Sequence, residues 1–422
     1  MTDLDRKFIL APATYVVQQG DHKILKNEAT GTRVRTNALT SFLLETYRAP
    51  SGLQPLLEIA EADPSEPLPR PIQALLDHFI LVDADDVDSV GRGVLAPIDR
   101  SSAIGKPLHL TQLDTVVEPR CFAVIGAPWQ AGGSNDSSAH RGPDLIRAGF
   151  PWKSSQLEPT QSRIQHLDFR RQYSQTPAIV DLGDTIVYQT QDLELAGRRL
   201  SVAVERVLEH DMIPVVLGGD HSLTRHVIDT LCAFQSSFGI IHFDAHHDLY
   251  LDPFDNPNHA NPFRFALAHT EVAILHQVGL RTREVFEPAS QELAHDARVT
   301  YNSAYELRRS SPSEALAHLP RDIPYYVTFD IDCLDPSQCG LTDTPEPGGL
   351  GFYQALEFID FIGREFDIIG TDFVEVGGTA SSADNVGGAC AASLLFQLML
   401  GKIPYEPLGS YYSKSVNKGV VR

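Results

Sequence analysis

Beyond residue 119 the chain alternates between two textures. Short, nearly unbroken apolar runs occur at Phe122-Ala123-Val124-Ile125, Ile179-Val180, Ile213-Pro214-Val215-Val216-Leu217, Gly239-Ile240-Ile241-His242-Phe243, Tyr325-Tyr326-Val327-Thr328-Phe329 and Ile368-Ile369. Between them lie longer stretches with helical spacing of apolar positions, including 193–210 and 350–366. Strands alternating with helices predict βα units and a parallel sheet covered on both faces. Continuous apolar runs, rather than strict apolar–polar alternation, suit strands buried on both sides. The expected architecture for 119–422 is therefore α/β, a three-layer α/β/α sandwich.

The first 95 residues have a different texture. Tyr15-Val16-Val17, Lys23-Ile24-Leu25-Lys26 and Arg33-Val34-Arg35 predict three short strands, separated by turn signals at Gly20-Asp21 and Thr30-Gly31. Helical spacing follows through Leu39, Phe42, Leu43 and Tyr47, then Leu53, Leu56, Leu57 and Ala60. A third helix is predicted through Ile72, Leu75, Leu76 and Phe79, ending in Ile80-Leu81-Val82. This predicts a small winged-helix-like α+β module over 1–95, with 96–118 as a linker or arm. In element order the module resembles the PqqD-like peptide-recognition domains of ribosomal-peptide modification systems.

Composition narrows the function. Of 422 residues, 42% are apolar and 21% charged, enough to bury a sizeable core. The net charge of -21 argues against nucleic acid or an anionic membrane as partner, since phosphate binding needs a basic surface. No apolar stretch is long enough to span a bilayer, and Met1-Thr2-Asp3-Leu4-Asp5 lacks the basic and apolar parts of a signal peptide, so the cytoplasm is expected. The five cysteines (Cys121, Cys232, Cys333, Cys339, Cys390) form no C-x-x-C pair, which supports neither a zinc knuckle nor a disulfide framework.

Candidate chemistry gathers where ligands collect in such sheets, at the C-terminal ends of strands. Gly218-Gly219-Asp220-His221-Ser222 follows one apolar run, Asp244-Ala245-His246-His247-Asp248 a second, and Asp330-Ile331-Asp332 completes a third. His221, Asp244, His246, Asp248, Asp330 and Asp332 are the candidate metal ligands. Their four carboxylates carry a formal charge of -4 with no adjacent basic run to offset it. Grouping them in a low-dielectric crevice requires cations, and two divalent metals supply that charge. Histidine and aspartate without thiolate suit manganese, iron, cobalt, nickel or zinc. A metal pair about 3.5–4 Å apart would activate a shared water near neutral pH. His247 faces away from its neighbours in this reading and is structural, and His242 within its apolar run reads as a core histidine.

These three motifs, with Asp335-Pro336 after the third, resemble those of the ureohydrolase family of arginases, agmatinases and guanidine-directed relatives. Gly126-Ala127-Pro128, Arg141-Gly142-Pro143, Ile146-Arg147, Asp181-Leu182-Gly183-Asp184, Thr344-Pro345-Glu346-Pro347-Gly348-Gly349 and Asp372-Phe373-Val374-Glu375-Val376 are similar to further segments of that family. The resemblance covers about 119–403. It implies a binuclear site, most often manganese, while the His/Asp donors suit nickel or cobalt as well. His221, Asp244, Asp248 and Asp330 would hold one ion; Asp244, His246, Asp330 and Asp332 would hold the other, with Asp244 and Asp330 bridging. It also implies Glu375 as partner of the substrate guanidinium and His259 as a mobile proton shuttle. Asn258 and Asn261, flanking His259, are candidate substrate contacts. The implied reaction is attack of a metal-bridging hydroxide on the guanidinium carbon, with Asp248 helping to stabilise the tetrahedral intermediate, releasing urea and an amine. A homo-oligomer, trimer or hexamer, follows by the same analogy.

The sequence departs from the family where specificity is set. Glu375 precedes Val376-Gly377-Gly378 instead of x-Asn-Pro, and His259 precedes Ala260-Asn261-Pro262 instead of Gly. Phe263, Arg264 and Arg281 are open between pocket lining and packing or surface charge. A small free guanidino compound, from guanidine to guanidino acids and agmatine-like amines, is the expected substrate. The alternatives are a peptide arginase, with 14–90 gripping a leader peptide, and a metal-dependent amide hydrolase.

Overall fold

The computed structural model describes residues 120–408 except 131, 135–137, 151–163, 186–192, 253–255, 282–294 and 379–384. Before residue 120 it describes shorter stretches, chiefly 8–10, 14–19, 22–27, 33–35, 51–60, 81–83 and 102–108.

In the N-terminal part, β1 (Phe8–Leu10) precedes a three-stranded antiparallel meander of β2 (Thr14–Gln19), β3 (His22–Asn27) and β4 (Arg33–Arg35). A helix spans Gln54–Ile59, and β5 covers Leu81–Asp83. The three predicted strands and the second predicted helix are present. The expectation that the third helix ends in Ile80-Leu81-Val82 is corrected: β5 pairs antiparallel with β1, Leu81 opposite Leu10. A three-residue apolar run has no periodicity of its own, so a distant partner decides its state. Residues 42, 43, 46, 70, 72 and 75 are helical, while Leu39, Leu76, Phe79 and Ile80 lie outside the described residues. Phe8, Leu25, Leu43, Tyr47, Leu53, Leu56, Leu57, Ile72, Leu75 and Leu81 form an apolar cluster of their own.

The segment expected as an arm joins the larger unit. β6 (Leu95–Ala96), where the expected module meets the arm, and β7 (Lys106–Pro107), within the arm, both pair with β11 (Ile179–Thr185), and Leu110 and Leu113 enter the main core.

The main sheet also contains β8 (Phe122–Ala127), β12 (Ile213–Gly218), β13 (Phe238–Phe243), β14 (Val272–Leu280), β15 (Val299–Ser303), β16 (Tyr325–Asp330) and β17 (Ile368–Val374). Its order is β15-β14-β13-β16-β17-β12-β8-β11-β6, parallel throughout except for β6 at the edge. Strands β9 (Ile164–His166), β10 (Arg171–Tyr173) and β18 (Tyr405–Pro407) make a separate small antiparallel sheet.

Side chains along a strand alternate between its two faces, and the core divides accordingly. Val124, Val215, Leu217, Ile241, Phe243, Val327, Phe329 and Phe373 face the helices Gly142–Gly149, Phe352–Glu365 and Val386–Leu400. Ala123, Ile125, Val216, Ile240, Tyr326 and Val374 face Leu193–Glu209 and Leu223–Phe234. This is the expected three-layer α/β/α sandwich. Val386–Leu400 is apolar nearly all round and correspondingly buried, but no described helix is long and apolar enough to cross a membrane.

Four adjacent central strands end at one level. Leu217 is level with Phe373, Phe373 with Phe329, and Phe329 with Phe243. The rings of Phe243, Phe329 and Phe373 stack at 5.0 and 5.2 Å between centroids, an aromatic ladder directly beneath the motif residues.

Candidate metal centre and active site

Each motif leaves the C-terminal end of one of these four strands: His221 after β12, Asp244 to Asp248 after β13, Asp330 and Asp332 at the end of β16, and Glu375 after β17. Local sequence makes the turns feasible. A side chain at Gly219 would place its Cβ 1.8 Å from the Trp129 carbonyl oxygen, so only glycine lets the chain turn there. Asp220 accepts from the backbone N–H groups of Gly132, at 2.8 Å, and Ser222, at 3.0 Å, and fixes the turn that presents His221. Asp248 and Glu375 adopt positive φ, 53° and 59°. For residues other than glycine such backbone costs about 1–3 kcal/mol and is held only where surrounding structure over-determines it. Both strained residues were singled out from sequence.

Two sets of donors converge. His221 Nδ1 lies 3.2 Å from Asp244 Oδ2, 3.0 Å from Asp248 Oδ2 and 3.4 Å from Asp330 Oδ2. His246 Nδ1 lies 3.3 Å from Asp244 Oδ1 and 3.1 Å from Asp332 Oδ2. Asp244 thus turns one carboxylate oxygen to each set. Asp330 reaches the first set through Oδ2, while its Oδ1 accepts the Asp332 backbone N–H at 2.9 Å.

The donors suit metal ions on their own geometry. His221 is fully buried, its Nε2 is 2.9 Å from Thr328 Oγ1, and its Nδ1 has no hydrogen-bond partner despite the three carboxylates around it. A buried polar atom rarely stays unpaired; donation of Nε2–H to Thr328 would leave an Nδ1 lone pair aimed at the carboxylates. Without cations the charges are frustrated. Burial and the neighbouring Asp332 and Asp244 hold the Asp330 carboxyl well above the ordinary range. Burial opposes protonation of His246, but hydrogen bonds to Asp244 and Asp332 win and raise it to about 12. Protons would therefore fill the role that divalent ions fill better.

His259 and Glu375 stand together beside this centre. Glu375 Oε1 accepts the His221 backbone N–H at 2.8 Å, and its buried Oε2 has no partner. Burial pushes its carboxyl up to about 7. His259 Nδ1 is 3.5 Å from Glu375 Oε1 and from Asp343 Oδ2, and its Nε2 is 2.6 Å from Ser134 Oγ. Burial disfavours its charged form, yet the bond to Glu375 raises it to about 9.

The other residues singled out from the sequence make the following contacts. Asn258 Oδ1 accepts the Ala260 N–H, while Asn261 Oδ1 accepts the Asn258 N–H and its Nδ2 donates to Asn256 O. Both side chains are engaged in shaping the loop that carries His259. Phe263 packs against the rings of His242 and His221, at 4.1 and 5.5 Å. Arg264 lies near the Phe265 ring. Arg281 donates to the carbonyls of Asp332, Cys333, Leu334, Glu346 and Pro347, clamping the loop after β16. His247 accepts the Leu249 N–H and packs against Tyr250, a structural role.

Sequence reasoning passed over three groups. His242, read as a core histidine, is buried, but its Nε2 contacts Asp244 Oδ2 at 2.7 Å and its Nδ1 contacts Gln277. Strand alternation holds the signal, since residues two apart share a face. Asp343 and Ser134 come from loops with no periodicity, and only the fold brings them to His259.

With the geometry in place, the comparisons agree on the kind of protein. The model described as Arginase family matches residues 120–401. A guanidinopropionase from Pseudomonas aeruginosa is 31% identical over 300 residues, 68% of this chain and 89% of that protein. An agmatinase from Edwardsiella ictaluri is 28% identical over 288 residues, 66% of this chain and 86% of its own. A solved structure of an arginase from Medicago truncatula superposes with a TM-score of 0.56 at 25% identity, over 70% of this chain and 92% of that one.

Proposed function

The chain belongs to the arginase family and is a ureohydrolase acting on amidino C–N bonds, and on that premise we propose that it hydrolyses a small free guanidino compound to urea and an amine, or ammonia. One observation carries the reading: Asp244 offers an oxygen to each of two imidazole–carboxylate sets, beside a buried glutamate with an unpartnered oxygen. Relatives named for guanidinopropionate, guanidinobutyrate and agmatine all fit a small guanidino substrate.

His221, Asp244, Asp248 and Asp330 would hold one ion, and Asp244, His246, Asp330 and Asp332 the other. Manganese is the first candidate, with nickel or cobalt next, because the donors are imidazole and carboxylate without thiolate. The chemistry such a pair supplies when bound is a water activated at neutral pH and positive charge beside the reacting carbon. The remaining work falls to the chain. Glu375 Oε2 accepts guanidinium N–H groups and turns the planar cation so that one face meets the centre. Glu375 Oε1, tied to the His221 N–H, couples substrate orientation to a metal ligand. His259, between Glu375 and Ser134, holds a proton at neutral pH and can pass it to the departing nitrogen. Asn258 and Asn261 act on the substrate through the loop they shape. Cleavage of the guanidinium C–N bond by one water yields urea and the amine, so atoms balance without a further reactant.

A second reading has one observation behind it. The N-terminal strands and helix carry a separate apolar cluster, as a peptide-gripping module would need. In that reading the substrate is an arginine side chain in a peptide. The described cysteines are free thiols, which fits a reducing compartment such as the cytoplasm.

The test is urea release by the full chain reconstituted with Mn2+, Ni2+ or Co2+, on guanidine, guanidinopropionate, guanidinobutyrate, agmatine, arginine and an arginine-containing peptide. Urea from a free guanidine supports the main reading, and urea from the peptide alone the second. Ammonia or acetate without urea would sink both and favour an amide hydrolase.

A further inference from the structure

Far from these motifs, the last turn of the helix Leu223–Phe234 meets the entry to β14. Cys232, His269 and Glu271 each direct a donor atom into one space there, all within 4.8 Å of one another. We propose that Cys232, His269 and Glu271 form a separate zinc site that fastens the helix end to the start of β14. Its place follows from the topology. The Glu271 carbonyl accepts the N–H of Phe238, the first residue of β13, whereas Asp244 follows the last residue of that strand. Six residues of strand, about 20 Å, separate the two ends.

The donor set is zinc's own. Thiolate, imidazole and carboxylate bind Zn2+ at about 2.0–2.3 Å in a tetrahedral array. Among the described residues this is the one candidate cluster that includes a thiol. Tetrahedral donors at those lengths sit about 3.3–3.8 Å apart, so from within 4.8 Å closure needs a contraction of at most about 1.5 Å. Three protein donors leave a fourth position for water.

The surroundings are organised around these donors. His269 Nε2 is bonded to Asp229 Oδ1 at 2.8 Å. With Nε2 held by Asp229, the site would take Nδ1 of His269 as its donor; a carboxylate on one ring nitrogen fixes the imidazole and makes the other a better ligand. Asp229 and Cys232 lie three residues apart on the helix and so share a face. The presenting turn is pinned through its backbone: the His269 carbonyl accepts Arg298 Nη1 at 3.0 Å, and the His269 N–H donates to Ala266 O at 3.1 Å. Other polar groups nearby are Arg225, whose Nε lies 3.4 Å from Asp229 Oδ2, and Thr270, whose Oγ1 lies 3.5 Å from Glu271 Oε2. Burial, with Glu271 and Asp229 beside it, pushes the Cys232 thiol up to about 12. A divalent ion reverses that balance, because a coordinated thiol ionises.

Co2+ substitution tests this independently of the catalytic reading. Thiolate ligation of Co2+ produces a near-ultraviolet sulfur-to-metal charge-transfer band, and the catalytic donors contain no sulfur. Full-length wild-type chain and Asp244→Asn, which disables the shared catalytic ligand, are both expected to show the band on Co2+ titration. Cys232→Ser is expected to lose it while still binding Co2+ at the catalytic centre. Zn2+ should raise the Tm of Asp244→Asn and leave that of Asp244→Asn/Cys232→Ser unchanged. Should Cys232→Ser fail to fold, Glu271→Gln keeps the thiol and is expected to weaken the band-forming affinity at least tenfold. Absence of the band in wild-type chain, or its survival in Cys232→Ser, would overturn the site.

Discussion

Glu375 and His242 show what single residues contribute. Glu375 has one oxygen on a backbone N–H and one buried without a partner. Glu375→Gln retains an oxygen for the His221 N–H but loses the charge that meets a guanidinium. A hydrogen bond to a charged group contributes about 1.5–3 kcal/mol, so kcat/KM for a guanidino substrate is expected to fall from roughly tenfold to above a hundredfold. Metal content should stay at the wild-type level; urea kinetics with metal analysis read both. His242 acts one layer further out, through Asp244. Removing such an outer partner lowers metal affinity about 10–100-fold, which His242→Ala should show in calorimetric Mn2+ titration, with partial recovery in His242→Gln. The ligand motifs were legible because each is short and contiguous. His242 was hidden by its own apolar run, Asp343 and Ser134 by distance along the chain.

Elements are joined by buried polar contacts whose motif residues had no assigned task in the sequence. Arg147, on the helix Gly142–Gly149, is 1% exposed and binds Asp181 of β11 through two nitrogens at 2.9 and 3.0 Å, with Asp184 alongside. Asp181 also accepts the Ile104 N–H and so ties in the segment before β8. Breaking a buried pair from one side costs about 3–5 kcal/mol, because the other charge is left in low dielectric. Asp181→Ala is expected to lose that much stability in urea unfolding. On β14, His276 is fully buried, bonded to Thr300 and packed against exposed His318. Burial first, then His318, lowers its pKa to about 3. The unfolded chain takes up that proton below about pH 6.5 and the folded chain does not. The contribution is therefore complete above about 6.5 and lost as pH falls toward 3, at up to about 1.4 kcal/mol per pH unit. His276→Gln should show a shallower decline of unfolding free energy across that window. His276 and Gln277 also interrupt the apolar run of β14, which is why that strand did not stand out in the sequence.

For the whole molecule, the net charge of -21 sets a field that attracts cations. Raising ionic strength from low salt to about 0.15 M, where the screening length is about 8 Å, is expected to lower kcat/KM for a cationic guanidine. The effect should be smaller for a guanidino acid, whose charges cancel; a salt series of urea kinetics checks this. The α/β/α layering is legible in the sequence alone, because buried strand runs and amphipathic helices are local patterns. So are the ligand motifs, because each needs only a strand end and a turn. Tertiary structure alone decided which strands adjoin, and so that β13, β16, β17 and β12 deliver their motifs to one place. It likewise decided the pairing of β1 with β5, the joining of β6 and β7 to β11, and the meeting of Cys232 with His269 and Glu271. All of these depend on contacts between residues distant in sequence, whose partners no local pattern of hydrophobicity specifies.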